Sequence, residues 1–536
     1  MPPPSPVMSR IAYGVASAVG VYAVLLGVLL TPPMQRFALY ANSFNTLFLG
    51  DDLHNGERFG FAKNQVTPFN IATADGETLF AWHILPLNVY AQNDKALLAE
   101  ERPHGQCVED ITTSLAFRLL KSDEDARVVI SFHGNAGHIA QNQRPLTNRY
   151  MTTQPNTHVL TVDYRGFGLS TGSPTEAGLI ADGVALVDWV LHVANIPPQR
   201  TVILGQSLGT AVSSAVALRY ADPSNRYGLI PVESAEMRSM EKGEIKSVVF
   251  AGIVLAAPFN SVPTLLSTYR IGGLLPILLP LRPFPWLSSA LTNQMVDKWL
   301  TAERLTAYYE ALKGHPQLSG NNGGMGSLQI IHALNDADIP YHQTEMICRR
   351  MLGQRSADSA MEPEELDADH CVDGAKATGV QDVKRTGRPR LRFELVGYGA
   401  LRSLTCEQHH LTPHLNDMSG RGIGGGGTAI LGGGAIAGIV VGSVFGAFIL
   451  AALVYWFIAR PLLAKRREKS GGQPNGGQKY PSFYDGRKPR AVKGQKWPSF
   501  YDRTRPDRSA GIEAGGGVER KMEAREGDGR HMPYHG

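Results

Sequence analysis

The chain has 536 residues, 43% hydrophobic and 19% charged, which is long enough to bury at least one full-sized core and too apolar for a mostly disordered protein. Its formal net charge of +4 conceals an asymmetry: Arg460 to Gly536 holds 18 Lys/Arg against 9 Asp/Glu, leaving 34 against 39 upstream, so the body carries −5 and the tail +9. A mildly acidic body gives no ground for nucleic-acid binding, while the basic tail suits anionic lipid, an acidic cytosolic partner or plain solvation.

Residues 1–10 are read as a short N-terminal stub. Ile11 to Leu30 follows as an uncharged stretch of 20 residues, which as a helix spans about 30 Å of hydrocarbon. We read it as a transmembrane anchor. A cleaved signal peptide is the rival reading, but the flank TPPMQRF lacks a small-residue cleavage site.

From residue 31 to about 415, apolar runs alternate with helical stretches, the pattern of a mostly parallel sheet with helices on both faces. A hairpin opens it, with Phe69 to Thr73 and Thr78 to Leu85 flanking the turn dipeptide Asp75-Gly76. Buried strands are expected at Val128–Phe132, Val159–Asp163, Val202–Leu204, Val249–Leu255, Leu328–His332 and Leu391–Val396. Two insertions break the rhythm. Leu265 to Trp299 is apolar and punctuated by prolines, which suits a lid over an acyl pocket, core helices capping the sheet, or a membrane-contacting surface. Residues 353–387 are polar, and acidic in their first half, and are expected to be a loop.

A Gly-rich linker at 416–434 leads to a second apolar segment at 435–458, ending in the interface residues Tyr455 and Trp456. Lys465-Arg466-Arg467 follows at once, and such charge stays cytosolic, so the tail at 459–536 is expected in the cytosol and the body across the membrane. Gly434, Gly438 and Gly442 share a four-residue spacing that would let another helix approach closely. The tail repeats GQKYPSFYDGR as GQKWPSFYDRT and reads as disordered, with a PSFYD motif displayed twice. Cys107, Cys348, Cys371 and Cys406 have no C-x-x-C spacing, so neither a zinc site nor any other cofactor is called for; one or two disulfides fit a lumenal body, with no pairing assigned.

The chemistry concentrates in four places. Gly205-Gln206-Ser207-Leu208-Gly209 matches G-x-S-x-G, in which a serine nucleophile sits on a sharp strand-to-helix turn. The apolar TVILG precedes it, and TAVSSAVALRYA reads as an amphipathic helix after it. The glycines are needed because side chains flanking so tight a turn would strike backbone. An oxyanion needs donors fixed beforehand. Leu208 N–H is one candidate, and the loop His133-Gly134-Asn135-Ala136-Gly137 after an earlier strand offers Asn135 as the other. An acid to orient a histidine is expected after a later strand, where NDADIP offers Asp336, with Asp338 as the alternative. Asp163 is read as structural.

In this order, HGNAG, VDYRGFGLSTGSPTEAG, LGQSLG, AAPF and NDADIP resemble the membrane-anchored α/β-hydrolase branch that includes lysophosphatidylserine and monoacylglycerol lipases and fungal relatives. The likeness spans about Leu30 to Leu352. It implies a lipid-ester hydrolase of the endoplasmic reticulum membrane with a lumenal catalytic domain. The chain departs from the family at the histidine, which should follow the last strand within a few residues. Here RLRFELVGYGA continues as Leu401-Arg402-Ser403, and His409, His410 and His414 are the next imidazoles. Either His409 or His410 reaches the site on a longer loop, or the end of the domain has been replaced by the linker and second helix. Two functions follow from these alternatives: an active lipase, whose machinery would also serve an acyl-protein thioesterase, or a catalytically impaired scaffold presenting the tail motif.

Overall fold

The computed structural model describes residues 6–102, 105–231, 247–268, 270–271, 275–276, 281, 283–315, 325–336, 338–353, 371, 379–383 and 388–397. All lie in the first of two units, Met1–Ala464. The Gly-rich linker, the second apolar segment, the basic tail, Cys406, His409, His410 and His414 lie outside the described residues.

Eleven strands are found among the described residues: β1 (Val66–Ala72), β2 (Thr78–Ile84), β3 (Arg127–Phe132), β4 (Thr157–Val162), β5 (Thr201–Gln206), β6 (Gly252–Ala256), β7 (Arg270–Ile271), β8 (Leu275–Pro276), β9 (Ser327–Ala333), β10 (Gly379–Val383) and β11 (Leu391–Val396). Nine form one sheet in the order β1-β2-β4-β3-β5-β6-β9-β11-β10, while β7 and β8 pair separately. From β4 through β11 the neighbours run parallel. The antiparallel pairs lie at the two edges, β1 with β2 and β2 with β4 on one side, β10 with β11 on the other.

The strand sequences explain this layering. Central strands are apolar on consecutive residues because both faces are covered. In β3, Val128, Ile130 and Phe132 enter one core cluster and Val129 the other. Ile203 divides from Val202 and Leu204 in the same way on β5, as do Leu328 and Ile330 from Ile331 on β9. The first hairpin closes as expected, with Ala72 opposite Thr78 and Gly76 at φ +93°, where a residue without Cβ is needed.

Two expectations are corrected. The polar stretch 353–387 is not all loop, since it contains β10; strand residues such as Val380 and Val383 need only pair one edge of β11. The helix after the elbow, Leu208–Ala221, is not amphipathic, because every residue but Tyr220 is buried. It packs centrally between helices Glu176–Asp188 and Thr301–Ala311, which its small Ala, Ser, Gly and Val side chains permit. The insertion 265–299 is anchored to the core at its end: Trp299 is fully buried, and Glu176 accepts hydrogen bonds from the backbone of Lys298 (2.8 Å) and Trp299 (3.0 Å) and from Arg304 (2.6 Å). Among its described residues the large exposed apolar groups are Phe284, Trp286 and Val296. Cys348 is paired with Cys371, tying helix His342–Gly353 to the insertion that follows it.

The N-terminal apolar segment forms a helix, Pro6–Leu29. Among the described residues no single helix is long and apolar enough to cross a membrane; Val19–Leu29 taken together with Pro32–Tyr40 is, across a 90° bend. Beyond the bend the chain docks on the body. Arg36 and the Tyr40 hydroxyl both reach Asp297 (3.1 and 2.9 Å), and Gln35 bridges Gln294 and Val296.

Candidate active site

In a parallel sheet the loops leaving the strand carboxyl ends share one edge, which is where open α/β sheets present their ligand sites. Asn135 leaves β3, Ser207 leaves β5 and Asp336 leaves β9, with β6 between the last two. At about 4.8 Å per strand spacing, β5 and β9 stand roughly 10 Å apart. The fold therefore brings Asn135, Ser207, Leu208 and Asp336 to one rim; His409 and His410 lie outside the described residues.

At the elbow, Ser207 N–H continues the ladder by donating to Ala256 O at 3.0 Å. The chain then turns through φ 53°, ψ −116° at Ser207, a conformation that costs a non-glycine residue about 1–3 kcal/mol and persists only when its surroundings over-determine it. They do so here. Ser207 O accepts from Thr210 N–H (2.9 Å) and Thr210 Oγ1 (2.6 Å), opening the helix. A Cβ at Gly209 would stand 2.1 Å from Phe132 O, and one at Gly205 2.4 Å from Ser213 Oγ and 2.5 Å from Gly209 O. Both glycines are thus demanded by contacts of β3, β5 and the helix at their closest approach.

The HGNAG loop lies against the serine, since a Cβ on Gly134 would come within 3.3 Å of Ser207 Cβ. His133 supports it from below. Its ring is buried, donates from Nδ1 to Gly134 O at 2.7 Å, and lies tilted with its centre 4.3 Å from that of Tyr164. Burial, and then the nearby Arg144 charge, push its basicity well below that of an ordinary imidazole, so it is a neutral support. Asp163 is buried beneath the same loop, accepting from Ile139 N–H at 2.6 Å, and burial raises its carboxyl to about 7. Its place in the interior fits the structural part read for it.

Neither Leu208 N–H nor Asn135 N–H has an acceptor among the described residues. Leu208 opens the helix, so its amide has no turn before it to bond. Two unused donors beside a serine hydroxyl can hold a negatively charged oxygen that develops next to it. The Asn135 side chain is otherwise occupied, Nδ2 donating to Leu39 O at 3.3 Å, so the amide is the group available.

Asp336 is buried, and its Oδ1 accepts the amides of Asp338 (2.9 Å) and Ile339 (3.0 Å). These local bonds fix the carboxylate on its loop. His332 holds the loop in turn: its Nε2 meets Ile339 O at 2.8 Å and its Nδ1 meets Thr344 Oγ1 at 2.7 Å, and burial lowers it to about 4. Asp338 is only half-buried. Among the described residues no cluster of His, Cys, Asp and Glu is arranged to hold a metal ion.

Sequence reasoning passed over Arg144, Glu176 and His332. Arg144 and His332 lie outside the quoted motifs, Glu176 lies within VDYRGFGLSTGSPTEAG, and each acts through contacts that only the folded chain creates.

A parallel sheet with a serine elbow, a glycine-lined loop after β3 and a buried acid after β9 is the architecture of the α/β hydrolases, and residues 129–377 match the model described as "Alpha/beta hydrolase family". The described fold is therefore that of the α/β hydrolases. Within that class its similarity runs to the branch that the motifs suggested: it is 33% identical over 125 residues to "Lysophosphatidylserine lipase ABHD12" of Danio rerio, covering 23% of this chain and 32% of that one. It is 32% identical over 115 residues to "Protein bem46" of Schizosaccharomyces pombe, covering 21% and 38%, and 39% identical over 110 residues to "Uncharacterized protein YfhR" of Salmonella typhimurium, covering 19% and 37%. The chain thus aligns with about a third of the length of these curated relatives.

Proposed function

We propose that the protein is a serine hydrolase that cleaves carboxylic esters of lipids, of lysophospholipid or monoacylglycerol type, through an acyl-enzyme. One observation carries this reading: Ser207 is held in a strained turn beside two backbone amides, of Asn135 and Leu208, that have no acceptor among the described residues. In the proposed reaction Ser207 Oγ attacks the ester carbonyl, its proton passes to an imidazole, and the carbonyl oxygen collects negative charge facing Asn135 and Leu208. The imidazole then protonates the leaving alcohol, and water repeats the sequence on the acyl-enzyme. Asp336 orients the imidazole, supplied by His409 or His410.

The substrate class rests on the lipase named among the relatives and on the exposed Trp286 and Phe284 of the insertion, which suit contact with acyl chains or a lipid surface. We further propose that the domains divide as the sequence suggests, with anchors at 11–30 and 435–458 and the body in the lumen of the endoplasmic reticulum. The Cys348–Cys371 disulfide supports an oxidising compartment.

The test is labelling of the full chain with a fluorophosphonate probe. Labelling that vanishes in Ser207→Ala, with kcat on a lipid ester falling on the order of 10⁶-fold, is expected. Folded wild-type protein that takes up no probe would overturn the assignment in favour of the scaffold.

A further inference from the structure

Arg144 is a half-buried residue whose cation the proposed chemistry does not use directly. It stands at the first position of helix Arg144–Met151, the end where the helix dipole disfavours positive charge. No ion pair to it is found among the described residues; Asp163 and Tyr164 act on it only at longer range, and burial lowers it to about 10. A buried charge without a carboxylate is costly unless its hydrogen bonds are well satisfied. Here they are satisfied by one loop. Nη2 donates to the carbonyls of Gly134 (3.1 Å), Asn135 (2.8 Å) and Ala136 (2.9 Å), and Nη1 donates to His138 O (2.6 Å).

The consequence follows from peptide geometry. In a trans peptide the C=O and N–H point in opposite directions. Gly134 O belongs to the same unit as Asn135 N–H, so drawing that oxygen onto the guanidinium turns the Asn135 amide away from it. The two following amides are occupied: Ala136 N–H donates to Tyr40 O (2.9 Å) and Gly137 N–H to Phe44 O (3.1 Å). Ile139 N–H, in the same unit as His138 O, donates to Asp163, so of the four amides whose carbonyl partners Arg144 grips only Asn135 N–H lacks an acceptor among the described residues, and its loop abuts Ser207. The cation also polarises the unit, since an amide whose oxygen accepts a charged donor is itself a stronger donor.

We infer that Arg144 is the positioning residue of the oxyanion loop, fixing the Gly134–Asn135 peptide so that the Asn135 amide faces the oxygen that becomes charged. This rests on the serine-hydrolase reading above. It gives Arg144 no contact with substrate and no proton to transfer. Its contribution is felt only when negative charge develops, so it affects kcat more than KM.

The experiment compares full-length wild type, Arg144→Met and Arg144→Lys on a short-chain p-nitrophenyl ester and with a trifluoromethyl ketone, which adds Ser207 to form a charged mimic of the intermediate. Active protein is counted by fluorophosphonate titration. In Arg144→Met we expect kcat per titrated site to fall about 100-fold, as when one oxyanion donor is lost, with KM within about threefold and the ketone's Ki raised in proportion to kcat. Arg144→Lys, able to reach fewer carbonyls, recovers part of both. A purely architectural role would reduce the number of titratable sites and leave the Ki of those remaining unchanged, and that result overturns the inference. If Arg144→Met gives no cooperative melt, Arg144→Lys decides: a wild-type Ki overturns the inference, and a raised Ki supports it. Wild type that is never labelled removes the hydrolase reading and this inference together, whereas labelled wild type with unaffected variants removes this inference alone.

Discussion

The two halves of the candidate site are built differently. The serine half is over-determined by backbone: Ser207 is fixed between the β6 ladder and its own helix, Gly205 and Gly209 touch neighbouring main chain, and the HGNAG loop is gripped by Arg144 and by the Leu39–Phe44 strap. The acid half is held by side chains and a short local turn, with His332, Thr344 and the amides after Asp336 fixing one carboxylate on a loop. The reason lies in what each would do in the proposed reaction. A strained residue needs rigid surroundings to stay strained, whereas an orienting acid needs only a fixed direction and a partner.

The contrast yields measurements that would break or sharpen it. The largest expected effect is on the acid side: Asp336→Asn should lower kcat on the order of 10⁴-fold, as loss of an orienting carboxylate does in other triads, while Asp338→Asn should stay within a few-fold. Steady-state assays with equal titrated sites check this, and the reverse ranking would move the role to Asp338. Next comes the serine side, where Gly209→Ala drives a methyl into Phe132 O. The clash is with backbone and cannot relax by rotating a side chain, so a loss of about 4 kcal/mol or failure to fold is expected. Denaturant unfolding measures it, and a near-wild-type midpoint would show the elbow to be less rigid than described.

The smallest effect concerns pH. Free histidine takes up a proton near pH 6.5, but buried His332 does so only near 4. A base whose folded value is depressed contributes stability that is present above 6.5 and is lost as pH falls towards 4. At pH 5 the loss attributable to this residue is about 2 kcal/mol. His332→Gln should flatten the fall in stability between pH 7 and pH 5 relative to wild type, as measured by urea unfolding. Parallel curves would mean that the acid loop is not held by a neutral imidazole.

What could be read in advance divides along the same line. The elbow, the HGNAG loop and NDADIP are contiguous stretches whose glycines, turns and flanking strands carry their own geometry, so the sequence placed Asn135, Ser207, Leu208 and Asp336 on strand ends before any coordinates. Arg144 could not be read that way. An arginine before a proline at a helix start has many uses, and only the convergence of four carbonyls defines this one. His332 likewise looks like any strand histidine. The amphipathic reading of 210–221 failed because an Ala- and Ser-rich helix can be buried on every side when its neighbours come close, and periodicity does not report neighbours.

By itself, then, the sequence determined the strand and elbow order, because hydrophobic runs, turn glycines and chain direction are local properties that survive in the linear text. The tertiary structure decided the rest: that β10 pairs with the far edge, that Cys348 meets Cys371, that Trp299 closes the core, and that a half-buried arginine sets the direction of one amide. Each of these joins segments distant in sequence, and their energies depend on distances that exist only once the chain has folded.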